Sequence, residues 1–314
     1  MTERALGDSG LAVRPFVLGG NVFGWTADRT ASFAILDRFV EHGGGMIDTA
    51  DVYSAWVPGH EGGESEAMIG EWLKASGARD RILIATKVGM GEGGLKPDRI
   101  RAAVQGSLDR LGVDVIDLYF AHKDDPDVPL DEMLGAFGEL VDAGQVRAIG
   151  ASNYSAGRLA EALRVSAEKR LPRFTVMQPE LNLLDRDQYE GPLQELCIAE
   201  GIGVIPYYSL AAGYLTGKYR GADDLGQSAR GYKAKAYMAG RGPAVLAAMD
   251  RVAAETGATL SQIALAWVAA QPGVTAPIAS ATSARQLDEI MGSLDVVLTE
   301  EQLAALTEAG RGEG

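Results

Sequence analysis

The feature that most constrains this 314-residue chain is a strict alternation of short β-rich runs with helical patterns. The runs fall at residues 16–19, 46–49, 82–87, 115–120, 146–151, 175–178, 203–207 and 274–278, eight in all. Pro97 opens one of the intervening helical stretches, with Ile100, Val104, Leu108 and Leu111 along one face and Gly112 as its stop. Leu130, Leu134, Phe137 and Val141 line the next, closed by Gly144. Leu159 and Leu163 sit in a third, which Ser155 is placed to cap. Such alternation implies a parallel sheet, and eight units imply closure into a (β/α)8 TIM barrel, an α/β fold spanning residues 1–314 as one domain. An open, doubly wound sheet is the competing architecture. Residues 4–14, with Asp8, Ser9 and Gly10 as a turn, read as a β-hairpin that could plug the amino-terminal mouth of the barrel.

Two stretches break the rhythm. Residues 54–64 form a Gly-rich loop, and residues 220–242 a long loop carrying Arg220, Arg230, Lys233, Lys235 and Arg241 against Asp223 and Asp224. Long irregular segments within a compact domain are usually functional lids or mobile surface. The local excess of cations hints at an anionic ligand, because the chain as a whole has 29 Lys and Arg against 43 Asp and Glu, a net charge of −14. That overall field repels nucleic acid and anionic membrane surfaces, so neither is an expected partner. The single Cys197 excludes an internal disulfide and reads as a buried thiol in the apolar helical stretch 193–199. With no leader-like segment and no run approaching about 18 apolar residues, the expected location is the cytoplasm.

Several nucleotide-binding strings are decoys. Gly89, Gly91 and Gly94 match G-x-G-x-x-G, but they follow the third strand rather than the first, and Lys96 and Pro97 intervene before the helix. Residues 213–219 resemble a P-loop that is one residue short and lacks the Ser or Thr after Lys218. With three His and no paired His spacing, no metal centre is expected.

The polar residues at strand ends carry more. Asp48, Lys87 and His122 each close a β run, and Tyr53 follows Asp48 by five residues. In a barrel such positions converge on one mouth. Singly, each has a packing or ion-pair explanation. Together they form a proton donor for a carbonyl. A Tyr is a poor acid at neutral pH, and a nearby ammonium lowers its pKa. Lys87 is that ammonium, and Asp48 keeps it charged and oriented. A neutral His122 can donate a hydrogen bond to the carbonyl oxygen.

At this point the chain resembles a known family. Gly45-Met46-Ile47-Asp48-Thr49-Ala50-Asp51-Val52-Tyr53 is similar to the aldo-keto reductase signature, and Ala85-Thr86-Lys87 and Asp117-Leu118-Tyr119-Phe120-Ala121-His122 are similar to its next two blocks. Matches continue through Gly150-Ala151-Ser152-Asn153, Gln178, Pro206-Tyr207-Tyr208-Ser209, Leu215-Thr216-Gly217-Lys218-Tyr219 and Pro277-Ile278-Ala279-Ser280. The resemblance implies a metal-independent TIM barrel that reduces an aldehyde or ketone reversibly, with hydride from nicotinamide C4. It implies Tyr53 as general acid, Lys87 and Asp48 as its tuning pair and His122 as the carbonyl orienter. It places Ser152, Asn153 and Gln178 on the nicotinamide carboxamide and Tyr208 against the ring face. Tyr207 beside it should turn elsewhere. It implies a pyrophosphate loop from Ser209 to Lys218 that includes Leu210, Gly213, Leu215 and Gly217, and a ribose contact at Gly20 and Asn21.

The eighth-strand block, with Ser280, Thr282, Gln286 and Glu289, departs from the family where a Lys or Arg often stands early. Arg285, Lys218 or Arg230 could supply that charge, so NADPH is the expected cofactor and NADH the alternative. Trp25 and Trp56 are expected to wall the substrate pocket. Within the same superfamily, a nicotinamide-sensing subunit acting through a protein partner, like the potassium-channel β-subunits, is the second reading. Neither the carbonyl substrate nor the oligomeric state follows from the sequence.

Overall fold

Eight parallel strands wound by helices form the framework of the computed structural model, which describes residues 2–227 and 231–311. The chain opens with β1 (Arg4–Ala5) and β2 (Ala12–Val13), an antiparallel hairpin. The barrel strands are β3 (Val17–Gly19), β4 (Met46–Asp48), β5 (Leu83–Val88), β6 (Ile116–Ala121), β7 (Val146–Ser152), β8 (Val176–Gln178), β9 (Gly203–Val204) and β10 (Ile278–Ala279). Neighbours pair in sequence order from β3 to β9, and β10 pairs with β3. The Ile278 amide also donates to Pro206 O at 2.9 Å and the Thr275 amide to Val204 O at 2.8 Å, so the eighth segment joins the seventh strand and the barrel closes.

The helices between strands are α1 (Arg29–Glu41), α2 (Glu64–Ser76), α3 (Pro97–Leu111), α4 (Leu130–Asp142), α5 (Ala156–Lys169) and α6 (Pro192–Ala199). After β9 come α7 (Gly231–Met238), α8 (Gly242–Thr256) and α9 (Leu260–Ala269); α10 (Ala284–Met291) and α11 (Glu300–Arg311) follow β10. The expected punctuation is present. Pro97 starts α3, Gly112 ends it in the left-handed conformation, and the Ser155 side chain accepts from the Arg158 amide at the start of α5. Cys197 is buried in α6, where burial pushes its thiol up to about 12.

Two expected strands are shorter than their β-rich runs. The seventh was expected over 203–207 but its ladder covers Gly203–Val204, and the eighth was expected over 274–278 but its ladder is Ile278–Ala279. Pro206 and Pro277 lack an N–H, so neither can donate to a ladder. Residues 220–242 are also more ordered than a loop, holding a 3-10 turn at Ala222–Gln227 and α7. Ala234 is fully buried and anchors that helix.

Strand alternation sorts the core into two sets. Met46, Ala85, Leu118, Phe120, Ala148 and Val176 pack inside the barrel, while Ile47, Ile84, Tyr119, Ile149 and Met177 pack outward against the helices. Leu6, Leu11 and Val13 of the hairpin join the inner set, plugging the amino-terminal mouth. Gly7 makes this closure possible: its φ is +54°, and a Cβ there would lie 2.2 Å from the Gly203 nitrogen.

Candidate active site

Parity now places the site. Asp48 is in phase with inward-facing Met46, Lys87 with Ala85, and His122 with Leu118 and Phe120. Ser152 is in phase with Ala148, and Gln178 with Val176. All five therefore point into the carboxyl-terminal mouth, where apolar strand interior gives way to polar side chains.

There Lys87, fully buried, donates from Nζ to Asp48 Oδ2 at 2.7 Å, to Thr49 O at 2.7 Å and to Tyr53 OH at 3.1 Å. All three ammonium protons are thus directed. Gln178 Nε2 donates to the other Asp48 oxygen at 2.8 Å. The Tyr53 ring meets the His122 ring edge-on, with centroids 5.9 Å apart. Because Lys87 donates to the phenol oxygen, the phenol proton is left for another acceptor.

Electrostatics refine this picture. Burial alone would push the Lys87 ammonium down, but the Asp48 carboxylate and Tyr53 outweigh it and hold its pKa above the ordinary lysine value. Burial is also the largest influence on Tyr53 and raises its pKa; the Lys87 charge and hydrogen bond oppose that without overcoming it. The expectation of a net lowered phenol pKa is therefore corrected, since desolvation of the phenolate exceeds one nearby ammonium. Tyr53 therefore stays protonated at neutral pH. Burial, reinforced by the Lys87 charge, holds His122 well below the usual histidine value. Its ring is neutral at physiological pH, and Nδ1 has no hydrogen-bond partner among the described residues.

The loop bearing Tyr53 is tied down by Glu64 at the start of α2. Its carboxylate accepts from the Ser54, Glu61 and Gly62 amides at 3.1, 2.9 and 3.1 Å. Trp56 on that loop meets Tyr53 and Trp25 edge-on, at 5.7 and 5.6 Å between centroids. An aromatic wall of Trp56 and Trp25 therefore continues from Tyr53.

A cavity of about 1040 Å³ extends from Asp48, Tyr53 and His122 to α10. Asn21, Ser152, Asn153, Gln178, Tyr208, Ser209, Leu210, Gly213, Lys218, Ser280, Thr282, Gln286 and Glu289 line it, as do Trp25 and Trp56. Gly20, Leu215 and Gly217 do not. The Gly20 amide instead supports the Asp48 carbonyl at 2.7 Å, Leu215 is buried core, and Gly217 ends a 3-10 turn at φ +77°. Tyr207 is not turned away: it lines the cavity, and its hydroxyl donates to Asn153 Oδ1 at 2.8 Å. Tyr208 and Asn153 adopt φ values of +56° and +58°, which break the strand alternation on which that expectation relied. Such left-handed non-glycine residues are strained and cluster at working sites.

Of the five cations of residues 220–242, Lys233 lines the cavity and donates to the Tyr208 hydroxyl. Arg220 pairs with Asp250 and Arg241 donates to the Gly310 and Arg311 carbonyls, while Arg230 lies outside the described residues. Thr26, Met90 and Tyr232 also line the cavity. Nothing in local sequence pattern marked them, because long connections bring them in.

The aldo/keto reductase family model matches residues 15–311. The chain belongs to the aldo/keto reductase family. It is 31% identical to "Uncharacterized oxidoreductase YrpG" of Bacillus subtilis, over 98% of this chain and 96% of that one. It is 32% identical to "Probable voltage-gated potassium channel subunit beta" of Arabidopsis thaliana, over 95% and 92% of the two chains. It is 30% identical to "Aldo-keto reductase yakc [NADP(+)]" of Schizosaccharomyces pombe, over 89% and 82%. Like the family resemblance, these matches span nearly the whole barrel. Among the described residues of this aldo/keto reductase, no helix is long and apolar enough to cross a membrane.

Proposed function

We propose that the protein reduces an aldehyde or ketone to the alcohol, reversibly, with a nicotinamide cofactor as hydride source and Tyr53 as proton donor. The observation that carries this reading is the buried chain Asp48–Lys87–Tyr53 beside a neutral His122. The ammonium stabilises the phenolate that remains once the proton has moved, and Asp48 and Thr49 hold that ammonium in place. His122 can direct the carbonyl oxygen toward the phenol without competing for its proton.

The cavity fits a dinucleotide. It is about 1040 Å³ and is lined by polar side chains together with the cations Lys218 and Arg285. Neither cation has an ion-pair partner among the described residues. Bound NAD(P)H would supply the hydride. Gln178 anchors Asp48 through Nε2 and keeps its carbonyl oxygen available to a carboxamide, while Ser152 donates to Gln178 O at 2.8 Å and so holds that residue. Asn153 is already committed to His122 O and Tyr207. It therefore supports the carboxamide site by rigidity as much as by contact.

NADPH is the favoured cofactor. The Thr282 amide and hydroxyl both donate to Gln286 Oε1 at 2.9 Å, so a 2′-phosphate would fall to Arg285 and Lys218, which suit it by charge. The NADP(+) in one relative's name supports the same choice. The aromatic wall suits a carbonyl with an apolar skeleton.

A relative named as a potassium channel subunit supports a second reading, a nicotinamide sensor acting through a partner. A complete proton-donating tetrad has no evident use in a sensor. An NADPH and NADH oxidation screen over aryl, aliphatic and sugar carbonyls decides between them. The reductase reading requires turnover, and Tyr53→Phe should lose roughly 10²–10⁴-fold in kcat while cofactor affinity is kept. Undiminished turnover by Tyr53→Phe would refute the assigned acid. Cofactor binding with no oxidation across the panel would favour the sensor.

A further inference from the structure

Residues that face away from the cavity hold the tetrad in register, and one of them stands out. Asp51 lies between Asp48 and Tyr53 and is buried. Its amide donates to the Lys87 carbonyl at 3.2 Å, while its carboxylate accepts from Arg99 Nη2 at 2.7 Å. Two residues on, the Tyr53 amide donates back to Ala50 O at 3.2 Å. One short segment therefore grips the backbone of Lys87, receives the Lys87 ammonium on Thr49 O, and presents the phenol to that same ammonium. The strand residue before Lys87 is gripped as well: Thr86 Oγ1 donates to Glu66 Oε1 at 2.5 Å, and Glu66 is paired with Arg110.

We propose that Asp51 is a positioning residue of this site, its carboxylate clamped by Arg99 of α3 so that the 49–53 segment stays on Lys87 and Tyr53 stays within reach of the ammonium. The clamp is a single contact. Asp51 Oδ1 and Arg99 Nε have no hydrogen-bond partner among the described residues. Neutralising Asp51 therefore removes the charge from the one bond that holds it.

The groups facing Asp51 set when that happens. Arg99 and Arg110 approach from α3, Glu66 from α2, Lys87 from β5 and Tyr119 from β6. Burial pushes the carboxyl up to about 6, the Arg99 charge opposes this, and Glu66 adds to it. The carboxylate and its clamp are present above that value and are lost as pH falls through it. The tetrad alone predicts the opposite limb, since a phenol donor fails on the alkaline side. Burial and the Lys87 charge hold His122 well below the usual histidine value, and any limb from it would persist in Asp51→Asn.

The inference rests on the reductase reading for its kinetic test, kcat from pH 5 to 8 at saturating carbonyl and cofactor. Wild type should lose about tenfold per unit below the limb. Asp51→Asn should be flat over that range, held at the acid-side rate, with cofactor Kd unchanged. Arg99→Gln removes the cation from the same contact, so it should share the flat, acid-side rate of Asp51→Asn, and it serves as the second variant should Asp51→Asn not fold. Wild-type kcat at pH 7, or an intact acid limb, in either Asp51→Asn or Arg99→Gln would overturn the proposal. Trp56, edge-on to Tyr53, gives a readout without turnover. Its emission should change between pH 7 and 5 in wild type, and in neither Asp51→Asn nor a Trp56→Phe background. If no form reduces any carbonyl yet this change is seen, the reductase reading falls and the clamp stands. If the change is absent, the clamp falls.

Discussion

Replacing Asp48 by Asn tests the electrostatic core of the site through stability rather than rate. In wild type Lys87 is fully buried, and its ammonium is satisfied by Asp48 Oδ2, Thr49 O and Tyr53 OH. An Asn amide would keep its oxygen on Gln178 Nε2 and turn its own N–H groups toward the ammonium, donor against donor. Removing one partner of a buried ion pair costs roughly 3–5 kcal/mol. With an unfolding entropy of about 2.1 cal/mol/K per residue, a chain of 314 residues should then melt roughly 5–8 °C lower at pH 7. The pH dependence is more diagnostic than the drop. The wild-type Lys87 pKa is raised, so its contribution to stability is intact below the ordinary lysine value and is lost only as pH rises through the raised one. Between pH 7 and 9.5 this group should leave wild-type stability level. Without Asp48, burial dominates and drives the pKa below the ordinary value, which reverses the sign: the variant should gain stability as pH rises, by up to about 1.4 kcal/mol per pH unit. Thermal midpoints of both proteins at pH 7 and 9.5, at one scan rate, measure this. An unchanged midpoint at pH 7, or a variant that loses stability relative to wild type on going to 9.5, would refute the account of Lys87 as an ammonium held by Asp48.

Arg285→Ala should raise KM for NADPH by about 10- to 100-fold, the worth of one charge-assisted hydrogen bond, and leave KM for NADH unchanged; equal effects on both would remove Arg285 from 2′-phosphate recognition. Gly7→Ala forces a Cβ to within 2.2 Å of the Gly203 nitrogen at φ +54°. It should lower the thermal midpoint while kcat below that midpoint is unchanged, because the hairpin closes the mouth opposite the site; an unaltered midpoint would show that the plug is not under this constraint.

The fold was legible because its signals were local. Short β-rich runs, helix stops such as Gly112 and the Ser155 cap need no tertiary information, and they located the eight strands and the amino-terminal hairpin. The tetrad was legible because a strand end carries its own direction: Lys87 is two residues beyond inward-facing Ala85, and His122 two beyond Phe120. Legibility failed where proline or left-handed backbone interrupts a strand. Pro206 and Pro277 truncated two ladders, and the left-handed backbone at Tyr208 brought Tyr207 to the cavity against expectation. It failed again for Gly20, Leu215 and Gly217, whose family positions are close to the ligand in sequence but whose atoms serve the backbone or the core. Thr26 and Met90 reach the cavity from connections that carry no periodicity from which to infer direction, and Tyr232 reaches it from α7, which was expected as loop.

The Tyr53 result shows why geometry had to follow sequence. Reading residue types alone, an ammonium next to a phenol implies a lowered pKa, because charge is what letters convey. Burial is what they do not convey, and here it wins. The consequence bears on how the proton moves. A phenol that stays protonated, with Lys87 donating to its oxygen, is poised to give its proton only when negative charge appears on a partner in the cavity. In the proposed reduction the ammonium would then act mainly on the state after transfer, by stabilising the phenolate, rather than by weakening the O–H bond beforehand. Under that proposal Lys87 has a role realised as charge develops, which is where an interaction accelerates a reaction instead of merely tightening binding. It also explains the demand for rigidity around it: Asp48, Thr49, Thr86 and the Asp51 amide all fix the ammonium or its strand, since a donor arriving after the charge has formed would contribute nothing to the barrier.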